Sequence, residues 1–411
     1  MKNTLIAAAI VCLATPTWAD APYIDPAEDK KYFGDPAKEL FWTPEQQVAG
    51  YRNMDKIAWT RAVPAGEAPY PLPTQSLDLG GVEIVTDDLT LTVDDYVRTR
   101  NVAGLIVVKN GAVVYERYEL GNTAESRWLS YSVAKSVTSL LVGAAIKDGY
   151  IRSVDEPVTN YLPRLRNSSY DDSTLRHVLQ MSSGVEWTEV YDDPQSDINN
   201  VTWPTLELYE YLRHKPRVAA AGEVYNYNTA ETNLVGTLLR SAIGNNLSTY
   251  LSEKIWKPFG MEHDAYWVLS EEGGGEFGGS SLNATLRDYA RIGLFAMRNG
   301  LLRSGESVLP GGWMDESTTP SADFKEYGYL WWLHSNGAYA AAGIFGQGIY
   351  INPHEKLVVA IQSARENASR PQDWVLQNAL YDAFRRALQD LSLIHISEPT
   401  RRTIPSRMPS S

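Results

Sequence analysis

Hydrophobic and polar positions along the chain change period several times, and each change marks an element. Residues 102–109 are apolar and rich in β-branched side chains, Asn110-Gly111 supplies a tight hairpin turn, and 112–118 alternates beyond it. From Ser132 the apolar positions Val133, Val137, Leu140, Leu141, Ala144 and Ala145 follow helical spacing, with Gly149 near the end. Between about 150 and 310 short helical patterns recur, over 174–181, 205–212, 233–243 and 285–297, separated by Pro and Gly. Strand-like runs return at 327–333, 349–352 and 357–362, and 372–388 reads as a closing amphipathic helix. Strands near both ends with helices between predict an α/β (α+β) body interrupted by a mostly helical insertion. The expected division is a discontinuous α/β domain over 76–150 and 311–390 and a helical domain over 151–310. Residues 20–75, rich in Pro, Tyr, Trp and charge, are expected to form an N-terminal arm that wraps this body. No internal repeat is visible.

Both ends of the 411-residue chain stand apart from this pattern. Residues 5–14 are an apolar run followed by Thr17-Trp18-Ala19, the pattern of a secretory signal peptide cut after Ala19. The run is too short to span a membrane. The single cysteine, Cys12, lies inside it, so the expected mature chain has no disulfide and no Cys-ligated metal. Export without disulfides points to a periplasmic or secreted protein. At the other end, the string from Leu391 to Arg401 resembles a translated sequencing adapter, and 391–411 is expected to be an artefact tail.

Composition narrows the function. A net charge of −13 argues against a nucleic-acid binder, which needs a basic face. Hydrophobic content of 44% excludes a disordered chain. The body's histidines, His177, His214, His263, His334 and His354, share no ligand spacing, so no metal or other cofactor is expected. Gly273-Gly274-Gly275 and Gly278-Gly279 read as a flexible turn.

The feature that carries chemistry is Ser132-Val133-Ala134-Lys135. A spacing of i, i+3 puts both side chains on one face of the helix that opens there. A Lys buried on that face has a disfavoured charge, so its pKa falls and it can take the serine proton. The helix N-terminus adds positive potential where an oxyanion would form.

Trp128-Leu129-Ser130-Tyr131-Ser132-Val133-Ala134-Lys135-Ser136 resembles the nucleophile segment of the serine β-lactamase and penicillin-binding superfamily. The stretch from Gly149 to Pro163, Met181-Ser182-Ser183-Gly184-Val185, and Ser281-Leu282-Asn283-Ala284-Thr285 resemble further blocks of that superfamily. The likeness runs over about 95–388, and is strongest to class C-like serine hydrolases, especially 6-aminohexanoate-dimer hydrolases and carboxylesterases. It implies a β-lactamase/transpeptidase-like fold, with an antiparallel sheet flanked by helices.

The resemblance also implies a proton-relaying tyrosine. Within Tyr225-Asn226-Tyr227-Asn228-Thr229, the spacing to Gly236 favours Tyr227, with Tyr225 as the alternative. Gly343-Ile344-Phe345-Gly346-Gln347-Gly348 stands where relatives carry Lys-Thr-Gly, which places oxyanion donors at Ser132, Gly346 and Gln347. Phe345 stands in place of the His in the Ile-His-Gly that relatives often show and is a substrate-binding candidate by that likeness, and Tyr191 matches a second substrate-contacting tyrosine. Asp192, Asp193 and Asp197 follow it as acidic candidates for holding a cationic end. A missing Lys in the Lys-Thr-Gly place favours esterase or amidase activity over β-lactamase or D-amino acid peptidase activity. The expected partner is a small-molecule ester or amide, with no nucleic acid and no membrane insertion. A non-catalytic periplasmic binding protein using the same cleft is the alternative of another class.

Overall fold

A computed structural model describes residues 23–321 and 323–394, with side chains to 389. The expected signal segment 1–19 lies outside the described residues, as does the expected tail apart from the backbone of 391–394. The strands are β1 (Thr60–Val63), β2 (Glu83–Val85), β3 (Thr90–Thr92), β4 (Val102–Lys109), β5 (Ala112–Tyr118), β6 (Trp128–Leu129), β7 (Ala265–Val268), β8 (Leu282–Ala284), β9 (Trp332–Leu333), β10 (Tyr339–Gly343), β11 (Gln347–Asn352) and β12 (Leu357–Ser363). The helices that position the site are α1 (Pro44–Tyr51), α2 (Val133–Lys147), α3 (Thr229–Ile243), α4 (Leu286–Met297) and α5 (Pro371–Ile394).

A six-stranded antiparallel sheet, in the order β5-β4-β12-β11-β10-β9, forms the centre. The hairpin at its edge closes through Asn110 and Gly111, both at positive φ, with Lys109 opposite Ala112. Such a turn matches the twist of the strands. Both faces of the sheet are covered, which explains why β4 reads as an unbroken apolar run. Leu105 and Val107 pack with Leu380 and Phe384 of α5, whereas Ile106 and Val108 join the larger core with α2 and α4. A second sheet, β1-β7-β8-β6, delivers the chain to the start of α2.

Several segments differ from the pattern reading. Of 327–333 only β9 pairs as a strand. Tyr327, Tyr329, Leu330 and Trp331 are apolar because they are buried against the helical region, not because they alternate across a sheet. Residues 286–297, which periodicity groups with the helical middle, pack on the central sheet, with Gly293 close beneath Val358 and Ile349. The segment 23–63 contributes core of its own. Thr43 and Gln46 form a capping box for α1, Trp42 stacks on Tyr51, and Tyr51 meets Trp128 and Tyr131 edge-on at 5.6 and 5.4 Å. A buried Arg52–Asp29 pair anchors this segment.

Candidate active site

The Ser132 helix is apolar all round, and every residue from Val133 to Ala145 is buried. Such a helix has no solvent face, so a polar side chain on it must find protein partners. Ser132 is the N-cap, yet its hydroxyl caps nothing. Instead the Lys135 ammonium reaches it at 2.9 Å. Tyr131, just before it, sits at φ 45°, a left-handed conformation that aims the next residue into the cleft and that non-glycine residues hold at a cost.

Lys135 is 1% exposed and makes two more contacts, to Thr229 Oγ1 at 2.9 Å and to the Gly279 carbonyl at 2.8 Å. Burial lowers its pKa to about 8, against an opposing pull from Glu189. Glu189 accepts from the Thr229 hydroxyl at 2.5 Å, the Thr229 N–H at 2.8 Å, the Tyr191 hydroxyl at 2.7 Å and the Trp187 indole at 2.8 Å. These bonds fix the direction of every proton around Lys135. The Thr229 hydroxyl is already donating to a carboxylate, so toward Lys135 it can only accept. A carbonyl can only accept. Of the three groups bonded to Lys135, only the Ser132 hydroxyl can therefore donate to its lone pair when the amine is neutral.

Tyr227 lies over this centre, with its ring centroid 5.1 Å from the Lys135 nitrogen and its hydroxyl beside that of Ser132. Burial pushes the phenol well up, with Glu189 adding to the effect and Ser132 opposing it, so Tyr227 stays protonated. Trp332 and Tyr327 pack on its ring. Tyr225 points elsewhere: it stacks on Phe324 at 4.4 Å, and its buried hydroxyl has no hydrogen-bond partner among the described residues. Of the two candidate tyrosines, the fold brings Tyr227 to the nucleophile.

The strand residues behave differently from expectation. A Cβ on Gly343 would stand 3.1 Å from the Ser132 nitrogen, and the next residue, Ile344, lines the cleft with Ser132. Gly346 instead backs onto Ser363 and Arg365. The Gln347 side chain is fully buried, holding Trp128 and the Ser363 backbone. The residues facing Ser132 are thus Gly343 and Ile344 rather than Gly346 and Gln347. Phe345 is also displaced from its expected role. At φ 58° its side chain turns inward, is 1% exposed, and packs on Tyr131 and Tyr51.

Tyr191 does line the cleft. Asp197 is consumed by Lys215, Tyr211 and Thr188, and Asp192 and Asp193 are exposed on the outer loop. Glu189 and Gly279 carried no local signal. Gly278 and Gly279, read as a flexible turn, press against α3, where a Cβ would meet backbone oxygens at 2.7 and 2.9 Å. That close approach sets the Gly279 carbonyl on Lys135. Among the described residues no group of His, Cys, Asp and Glu could hold a metal, and no helix is long and apolar enough to cross a membrane.

The cleft itself is a cavity of about 1070 Å³ opening at Ser132, Tyr131, Thr229 and Ile344. One wall comes from 36–60 and the other from 198–207 and 268–281.

Comparison with known proteins agrees with this geometry. The Beta-lactamase family profile matches residues 90–381. A 6-aminohexanoate-dimer hydrolase of Paenarthrobacter ureafaciens is 28% identical over 305 residues, 68% of this chain and 77% of that protein. A Bacillus anthracis structure assigned as a 6-aminohexanoate-dimer hydrolase superposes with a TM-score of 0.76 at 22% identity, covering 85% of this chain and 95% of its own. A family VIII carboxylesterase shares the fold with a TM-score of 0.53 at 15% identity, covering 68% and 92%. The chain belongs to the beta-lactamase family of serine hydrolases.

Proposed function

We propose that this protein cleaves an ester or amide bond through an acyl-enzyme on Ser132. The observation that carries this reading is the direction of the hydrogen bonds at Lys135: of its three bonded partners only Ser132 can give it a proton. Lys135 deprotonates Ser132 as the oxygen attacks the carbonyl carbon. The backbone N–H groups of Ser132 and Ile344 hold the oxyanion, at the positive end of α2. Tyr227 passes the proton from Lys135 to the leaving alcohol or amine, and the pair then activates water against the acyl-enzyme. All of these roles fall to the chain's own residues.

Ester or amide cleavage is favoured over β-lactam hydrolysis by the charge of the cleft. Asp55 and Glu207 line it against Lys56, with Glu39, raised to about 7 by burial, adding partial negative charge, so a substrate carboxylate is disfavoured. The relatives' names divide between 6-aminohexanoate-dimer hydrolase or carboxylesterase and beta-lactamase, so the charge of the cleft carries this preference. Export through the 1–19 segment is part of the proposal, and intact mass of the protein from a periplasmic fraction tests cleavage after Ala19.

The test of the reaction is p-nitrophenyl butyrate hydrolysis, with intact-mass detection after a fluorophosphonate probe, for the wild type and Ser132→Ala. Turnover and one added probe mass, both lost in the variant, support the acyl-enzyme route. A folded wild type with neither signal refutes it and favours a binding protein.

A further inference from the structure

The catalytic residues occupy one corner of a cavity far larger than a small ester needs. At about 30 Å³ per water-sized group, 1070 Å³ holds on the order of 35 such groups. Ligand pockets for whole drug-sized molecules run to about 1,000 Å³. Leu40, Ile57, Trp203 and Phe277 give the extra volume apolar surface, whereas Asn199, Thr202 and Ser270 on the facing wall are polar. At its mouth Phe41 and Trp59 are 69% and 56% exposed, although both are large and apolar. Both residues also line the cavity, so their exposed rings extend its apolar wall to the mouth, where a ligand chain can lie on them. This wall is firm. The Trp59 carbonyl accepts from the Leu269 N–H at 2.8 Å, and Thr60 opens the strand that pairs with β7. It also lies outside residues 90–381, the part that matches the family profile.

Charge excludes one class of occupant. Asp55 and Glu207 face the cavity against the Lys56 ammonium, and burial raises the Glu39 carboxyl to about 7, so it adds partial negative charge near neutrality. A chain ending in a carboxylate is therefore disfavoured.

From these observations we infer that the substrate is an ester or amide carrying a long uncharged apolar chain, which lies from Ser132 along the 36–60 wall out to Phe41 and Trp59. The inference rests on the serine-hydrolase reading and adds the substrate class. Residues 36–60 act as a specificity wall, through apolar packing on Leu40, Phe41, Ile57 and Trp59 and through the charge of Asp55.

The experiment uses the full chain and two substrate series: p-nitrophenyl alkanoates from acetate to decanoate, and acetate esters of ethanol to decanol. The expected result is a rise in kcat/KM of about two- to fourfold per methylene, continuing to at least eight carbons in one series. The Phe41→Ala/Trp59→Ala double variant should lower the ten-carbon to four-carbon ratio at least tenfold, while Trp59→Phe keeps it. A terminal carboxylate on the long chain should lower kcat/KM. Ser132 that labels and turns over, with rates flat or falling beyond four carbons in both series, overturns the inference and leaves the serine-hydrolase reading intact. A rise that survives in the double variant overturns the role of the wall. Absence of both labelling and turnover refutes the two readings together.

Discussion

Glu189→Gln tests whether the proton balance at Lys135 is set as the structure indicates. The Lys135 nitrogen and one Glu189 oxygen both bond the Thr229 hydroxyl, at 2.9 and 2.5 Å, which puts the two charges roughly 5 Å apart. At an effective dielectric of about 20, opposite charges at that distance attract by about 3 kcal/mol. One pKa unit corresponds to about 1.4 kcal/mol, so the upper limit is a shift of about two units. Glu189 is partly exposed, and solvent screening brings the expectation nearer one unit. Burial already lowers Lys135 to about 8 against this pull, so removing the carboxylate must lower it further. Activity requires the neutral amine and therefore rises with pH through the Lys135 pKa. The assay is kcat/KM for p-nitrophenyl butyrate from pH 5.5 to 9.5. The wild-type acid limb is expected near 8, and in Glu189→Gln about one unit lower. The height of the plateau also reports the changed bonds to Thr229 and Tyr191, so the position of the limb is the deciding readout. A limb that stays in place, or moves up, would refute the electrostatic link between Glu189 and Lys135.

Other expectations concern single contacts. Tyr227→Phe should lower kcat by about 100- to 10,000-fold, the range for a positioned proton carrier, whereas Tyr225→Phe should change it less than threefold; both are read in the same ester assay. Gly343→Ala places a methyl 2.6 Å from the Ser130 carbonyl and 3.1 Å from the Ser132 nitrogen, so kcat should fall at least tenfold while the circular dichroism spectrum is kept. Burial raises the Glu231 carboxyl to about 7, against bonds from Ser183 and Tyr170. A carboxyl held above its unfolded value of 4.5 contributes most below that pH, and the contribution is lost as pH rises through 7. Melting temperature should therefore fall between pH 5 and 8, and Glu231→Gln should flatten that fall by about 1–3 kcal/mol of stability.

Legibility of this protein in its sequence followed the range of the interactions. The hairpin at Asn110-Gly111 and the helix after Ser132 are local, and period and turn chemistry place the hairpin strands and the start of the helix, with its end two residues before Gly149. The pairing of Ser132 with Lys135 is one helical turn, and falls within the same reach. The distance to Gly236 points to Tyr227 with Tyr225 as the alternative, and packing on Phe324 turns Tyr225 away.

The remainder depended on contacts across the chain. Glu189 meets Thr229 over 40 residues and Gly279 meets Lys135 over 144, and neither has a spacing that marks it. The strand after Gly343 shows the same limit at short range: a left-handed Phe345 turns its ring into the core, leaving Ile344 at the cleft. The aromatic content of 36–60 was visible as composition, but its use as a cleft wall depends on β1 pairing with β7. By itself the sequence determined the Ser132–Lys135 pairing, the family resemblance and the edge hairpin, because each rests on residues close together in the chain. Only the tertiary structure decided which tyrosine serves them, which carboxylate opposes the burial of Lys135, and what lines the cleft. Those choices follow from the packing of distant segments, where a side chain's partners are set by the closure of the core and not by its neighbours in sequence.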